Sequence, residues 1–305
     1  MTDDVSAQFG QVLSAMITPF HADGTLDVGA AQRLATRLVD ECGHDGLVIS
    51  GTTGESPTTS DEEKDRLLRA VLEAVGDRAR IIAGAGSNDT AHTVHLVQAA
   101  EKAGAHGVLL VTPYYNKPPQ AGLIRHFTAA ADASELPVML YDIPGRSGVP
   151  LRTETIQRLA EHPRIRALKD AKGDLFATQQ VLASTDLGVY SGDDTLNLPL
   201  LASGAIGVVS VVSQVAGQPV ADLVRAIAAG DLATARQLNT ALLPAVRGVM
   251  TRTQGAIMAK AALELQGVIG SRTTRAPLVD ATAEEVETLR ADLAEAGVRT
   301  IGGAR

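Results

Sequence analysis

Short runs of consecutive apolar residues recur along the first two thirds of the chain, at 13–18, 46–50, 80–85, 107–113, 137–143, 165–170, 188–192 and 207–212. They lack the strict alternation of a strand wetted on one face. Continuous apolarity over so few residues is the mark of strands covered on both sides. Stretches with helical spacing lie between them, at 61–75, 90–103, 121–133 and 153–159. In the first of these Leu67, Leu68, Val71, Leu72 and Val75 share one face, and Ser60 with Glu63 forms a capping-box signature at its start. Several runs are entered from a glycine, as in Ala103-Gly104-Ala105-His106-Gly107 and Ser203-Gly204-Ala205-Ile206-Gly207. Eight strands alternating with helices predict an α/β fold, a parallel sheet closed into a (β/α)8 TIM barrel. A doubly wound open sheet is the alternative, and the regularity of eight units favours closure.

More chain follows the eighth strand than one closing helix needs. The segments 219–229, 232–246, 257–265 and 283–296 read as successive helices. The expected division is a barrel core over 1–217 and an α-helical C-terminal extension over 218–305, packed on the barrel and available for assembly.

Composition narrows the function. The 305 residues are 45% hydrophobic and 20% charged, with a net charge of −8. An acidic balance argues against nucleic acid or an anionic membrane as partner. One cysteine, Cys42, rules out an internal disulfide framework and suits a reducing compartment. No Lys or Arg precedes Arg33 and no long apolar run opens the chain, so a secretory signal is not expected and the cytoplasm is.

Lysine usage is the sharpest chemical clue. Of 27 Lys and Arg residues only six are lysine, at 64, 102, 117, 169, 172 and 260. Arginine supplies the surface charge, so Lys169, at the tip of the strand Ile165-Arg-Ala-Leu-Lys169, asks for a chemical reason. Lysine can lose its proton and attack a carbonyl; arginine cannot. In a barrel of this kind the chemistry sits at the C-terminal ends of the strands. The tips here carry Gly51-Thr-Thr-Gly-Glu-Ser56, Thr112-Pro-Tyr-Tyr-Asn116, Tyr141-Asp-Ile-Pro-Gly-Arg-Ser-Gly148, Lys169-Asp-Ala-Lys-Gly-Asp174 and Ser191-Gly-Asp-Asp194. Three of only four tyrosines, 114, 115 and 141, stand at these tips. Hydroxyls gathered around one lysine point to proton transfer.

These motifs, in this order and spacing, resemble the dihydrodipicolinate synthase family of pyruvate-dependent class I aldolases, over essentially the whole chain. The resemblance implies a cofactor-free lyase that condenses pyruvate with L-aspartate 4-semialdehyde, towards diaminopimelate and lysine. It implies Lys169 as the Schiff-base residue and Tyr141, Thr52 and Tyr115 as a hydroxyl relay, with Tyr115 reaching into a neighbouring subunit's site. It also implies Thr53 and the backbone near Val209 on the pyruvate carboxylate, Gly192 lining the pocket, and Arg146 gripping the carboxylate of the semialdehyde. The assembly it implies is a homotetramer.

Blander readings compete. Lys169 could be a snorkelling surface group, Arg146 a surface ion pair, and Tyr114 and Tyr115 loop or interface aromatics. Gly51-Thr-Thr-Gly-Glu-Ser56 lacks the Gly-Lys end of a phosphate-binding loop, and Gly84-Ala-Gly86 has Asp89 where a dinucleotide fingerprint wants glycine. His92 and His95 lack an evident third ligand, so no metal is expected. Asp193 and Asp194 are read as capping or orienting the segment that follows. Two other functions stay open: a different pyruvate-linked aldolase, such as an N-acetylneuraminate or keto-deoxy-sugar lyase, and a non-catalytic sensor on the same barrel. In lysine-inhibited bacterial members of the family, the positions of Asp61, Lys64 and His92 carry His, His and Glu. This departure implies weak feedback by L-lysine.

Overall fold

The computed structural model describes residues 2–301. Eight strands form it: β1 (Val12–Ala15), β2 (Gly46–Ile49), β3 (Arg80–Gly84), β4 (Gly107–Val111), β5 (Val138–Asp142), β6 (Ile165–Asp170), β7 (Gly188–Ser191) and β8 (Gly207–Ser210). They pair in chain order, all parallel, and β8 returns to β1 to close a barrel. The continuous apolar runs are thereby explained. In β2, β4 and β5 the side chains point alternately into the barrel and towards the helical ring, and both sides are dry.

All strands but β6 end before their apolar runs do, because the barrel ladder ends before the apolarity does. Ser50 turns into the left-handed region (φ 59) directly after β2. Thr112, just past β4, points its hydroxyl to the Tyr141 carbonyl at 3.0 Å. In each case the extra residues belong to the loops above the barrel. The helix Asp61–Val75 has the expected bounds and the expected capping box, with Ser60 accepting from the Glu63 amide and Glu63 returning the bond.

One element escapes the periodic reading. The helix Thr2–Phe9 lies under the barrel. Phe9 is fully buried and meets the Tyr190 ring edge-on at 6.4 Å, and the Tyr190 hydroxyl donates to the Gly10 carbonyl at 2.7 Å. A Cβ on Gly46 would stand 2.6 Å from the Phe9 carbonyl oxygen, so the floor requires glycine at the start of β2.

After β8 the chain runs through helices Gly217–Ala228, Leu232–Val246, Gly255–Leu265 and Ala283–Glu295, with a π-helical turn at Arg247–Thr251. Gly255–Leu265 is buried almost all round. Its N-terminal end abuts the mouth of the barrel. No described helix is long and apolar enough to cross a membrane.

Candidate active site

The parallel register sets two reactive side chains side by side. Tyr141 on β5 pairs with Lys169 on β6, one residue before both strands end. The Lys169 Nζ stands 4.1 Å from the Tyr141 ring centroid. Both side chains are buried. Burial strips water from the ammonium and lowers the Lys169 pKa to about 7. Asp194 opposes that shift, and the Arg146 charge adds to it. The same burial pushes the Tyr141 phenol up to about 12, against the pull of Arg146 and the Thr52 hydroxyl. Near neutral pH the site therefore offers a substantial fraction of free amine beside a protonated phenol.

A cavity of about 520 Å³ opens over this pair. Thr52, Thr53, Tyr141, Arg146, Lys169 and Gly192 line it, with Met250, Gln254, Gly255 and Ala256 from the C-terminal region. A second hollow of about 400 Å³ shares Thr52, Tyr141, Ile143 and Arg146 with the first and reaches Tyr114. Gly192 leaves room that no other residue would. A Cβ there would lie 2.8 Å from the Lys169 Cγ and 2.9 Å from its Cε.

Six of the eight site residues expected from the sequence thus share one wall. Val209 is buried in β8, paired with Leu13; Val211, not Val209, lines the cavity. Tyr115 stands apart. It is 89% exposed, holds a left-handed φ of 74, and lines neither hollow within this chain.

The acidic pair divides its labour. Asp193 caps the turn after it by accepting from the Thr195 amide at 2.9 Å. Asp194 is buried and accepts from the Val211 and Val212 amides at 2.8 and 3.0 Å, from Asn197 and from the Ser210 hydroxyl. It ties the end of β7 to the end of β8 and places an anion near Lys169. His92 Nε2 lies 2.9 Å from an Asp61 oxygen, and the His92 and His95 rings stack. Among the described residues no group of three or more His, Cys, Asp and Glu is disposed to hold a metal ion.

Two buried charge clusters were not anticipated. Behind the strand tips, Lys172 Nζ lies 3.4 Å from Asp142 and 3.7 Å from Asp170. Burial pushes the Asp142 carboxyl up to about 6, with Lys172 opposing. Beside the cavity, the fully buried Lys260 pairs with Glu55 of the loop that carries Thr52 and Thr53. The available signal is a lone charge, Lys260, inside the otherwise apolar run 257–263 of a chain poor in lysine.

A buried lysine of lowered pKa, a phenol and two threonines around one hollow are the equipment of carbonyl chemistry, and comparison with known proteins agrees. The chain is 68% identical over 290 residues to a 4-hydroxy-tetrahydrodipicolinate synthase of Kineococcus radiotolerans, covering 95% of this chain and 94% of the relative. It is 62% identical over 291 residues to that of Acidothermus cellulolyticus, with 95% and 94% covered. Among solved structures, the lysine-bound enzyme of Cyanidioschyzon merolae superposes with a TM-score of 0.92 at 40% identity, covering 96% of this chain and 99% of the other. The chloride-inhibited enzyme of Acinetobacter baumannii, complexed with pyruvate, gives 0.91 at 36% identity, with 95% and 99% covered. Residues 8–296 match the dihydrodipicolinate synthetase family, and the chain belongs to that family.

Proposed function

We propose that this lyase condenses pyruvate with L-aspartate 4-semialdehyde through a Schiff base on Lys169, giving 4-hydroxy-tetrahydrodipicolinate for diaminopimelate and lysine biosynthesis. The observation that carries the reading is the buried Lys169 amine, set beside Tyr141 on the wall of the cavity.

The neutral Nζ attacks the ketone carbon of pyruvate and the carbinolamine loses water to an iminium. The iminium draws electrons from the methyl group, which sheds a proton to become an enamine nucleophile. The enamine carbon attacks the aldehyde of the semialdehyde. Its amino group then displaces Lys169 and closes the ring. Tyr141, protonated at neutral pH, supplies and recovers protons through Thr52. Tyr115 would complete that relay from a neighbouring subunit. Thr53 and the backbone near Val209 take the pyruvate carboxylate, Gly192 gives the adduct space, and Arg146 presents a planar fork to the second carboxylate. No cofactor enters this scheme. The reading carries with it a homotetrameric, cytoplasmic enzyme, with 1–217 as barrel core and 218–305 as the helices that close and extend it.

A coupled assay with pyruvate and aspartate semialdehyde tests it: turnover is expected, and its absence alongside cleavage of N-acetylneuraminate or a keto-deoxy sugar acid would overturn it.

A further inference from the structure

Glu55 and Lys260 lie far apart in sequence and form a buried ion pair in the fold. Their side chains are 1% and 0% exposed. Removing two charges from water costs several kcal/mol per ion, and a buried pair is seldom more stable than an apolar pair of the same size. Stability alone therefore does not explain it. Its connections are more telling.

Glu55 ends the tip loop that carries Thr52 and Thr53, and it bonds back to that loop: its amide donates to the Thr52 carbonyl at 3.1 Å. Its backbone holds a left-handed conformation (φ 55, ψ 38), which disfavours a side chain. Something must hold it there. The loop is pinned on one side by the Thr18 hydroxyl, which donates to the Gly54 carbonyl at 2.6 Å. On the other side one Glu55 oxygen accepts from Lys260 Nζ, and the second accepts from the Arg275 amide at 2.8 Å. Lys260 also donates to the Thr273 carbonyl at 2.7 Å. The Arg275 guanidinium carries the same docking onward, to the Thr58 carbonyl at 2.8 Å and to both oxygens of Glu63 at 2.6 Å. Lys260 and Arg275 both sit over the Phe20 ring, at 4.1 and 4.2 Å. Lys260 belongs to the helix Gly255–Leu265, whose first residues line the cavity. One helix thus walls the pocket at its start and anchors the opposite loop from its middle.

We propose that Glu55 and Lys260 are a positioning pair: the C-terminal region sets the conformation of the Thr52–Thr53 loop through them, and with it the proton relay and the pyruvate carboxylate site. The proposal rests on the function assigned above to Lys169, Thr52 and Thr53. Neither residue lines the cavity. Displacing Thr53 should raise the KM for pyruvate, and displacing Thr52 should lower kcat.

The test is the intact enzyme with Lys260→Met and with the double change Glu55→Gln/Lys260→Met. The single variant leaves a carboxylate buried without its partner and is expected to be less stable. The double variant removes both charges and keeps an amide oxygen for the Arg275 amide, so its thermal midpoint should return towards that of the parent. Its kcat should nonetheless remain roughly tenfold to hundredfold low, with a raised KM for pyruvate; a misplacement of about 1 Å costs up to about 10²-fold. Borohydride with saturating pyruvate should still label Lys169 in it. Parental kcat and KM in the double variant would overturn the proposal, as would a double variant that does not fold, since the pair would then serve the fold itself. Failure to label Lys169 in the parent enzyme would instead refute the function on which the proposal rests.

Discussion

Lys169 ties activity to pH in a direction that its surroundings fix. With its pKa lowered to about 7, the attacking amine is mostly protonated below that value and mostly free above it. The kcat/KM for pyruvate should rise with pH and level off above about 7, because that parameter reports the free enzyme. A limb placed instead near the ordinary lysine value of 10.5 would contradict the burial argument. Stability carries the same signature. The folded state holds the proton less tightly than the unfolded chain, so stability rises with pH between about 7 and 10.5. The penalty is full below that window and absent above it. Lys169→Met should therefore raise the thermal midpoint, and by more at pH 6 than at pH 10; calorimetry at the two values checks it. Tyr141 has a different status in the sequence. Its place on an apolar strand is legible, but its contact with Lys169 depends on the register of β5 on β6, which no local pattern encodes.

Two neighbouring helices, Asp61–Val75 and Thr90–Ala103, decide how an aminated effector would be received. The family resemblance implies a glutamate at the position of His92 in lysine-inhibited members. Here the Asp61 carboxylate accepts from His92 Nε2 at 2.9 Å, and Lys64 lies 3.4 Å from the other Asp61 oxygen. The one carboxylate of the group is already engaged. Losing a charge-assisted hydrogen bond of about 1.5–3 kcal/mol lowers affinity roughly tenfold to hundredfold. L-Lysine should inhibit weakly at sub-millimolar concentration, and a titration showing strong inhibition there would mean that another group supplies the anion. At this scale the sequence was a good guide where large apolar residues mark a face. Helix Asp61–Val75 could be bounded from its leucines and its capping box. The helix Val28–Asp40 gives a weak signal because much of its buried face is alanine, and Leu175–Ser184 because it buries little beyond Thr178 and Val181. The helix Thr2–Phe9 hides its role because the aromatic partner of Phe9 lies in β7. The Glu55–Lys260 pair was illegible for a stronger reason: nothing local links two charges that only the closed barrel and its C-terminal helices bring together.

The whole chain, taken singly, leaves Tyr115 outside the cavity that its assigned role requires. Its exposure and left-handed backbone fit a side chain presented to another copy. If so, inactive Tyr115→Phe and inactive Lys169→Ala subunits, mixed and shown to co-assemble, should regain part of the parental activity. Mixed oligomers that stay inactive would place each site within one chain. The central claim is nearer to the chemistry: the lysine-poor composition, the barrel and its burial converge on one nucleophile. Its most direct measurement is reduction of the enzyme by borohydride in the presence of pyruvate, followed by peptide mapping. The account predicts a single pyruvate-derived adduct per chain, on Lys169, lost in Lys169→Arg together with turnover. An adduct on Lys172 or Lys260, or full activity in Lys169→Arg, would contradict it.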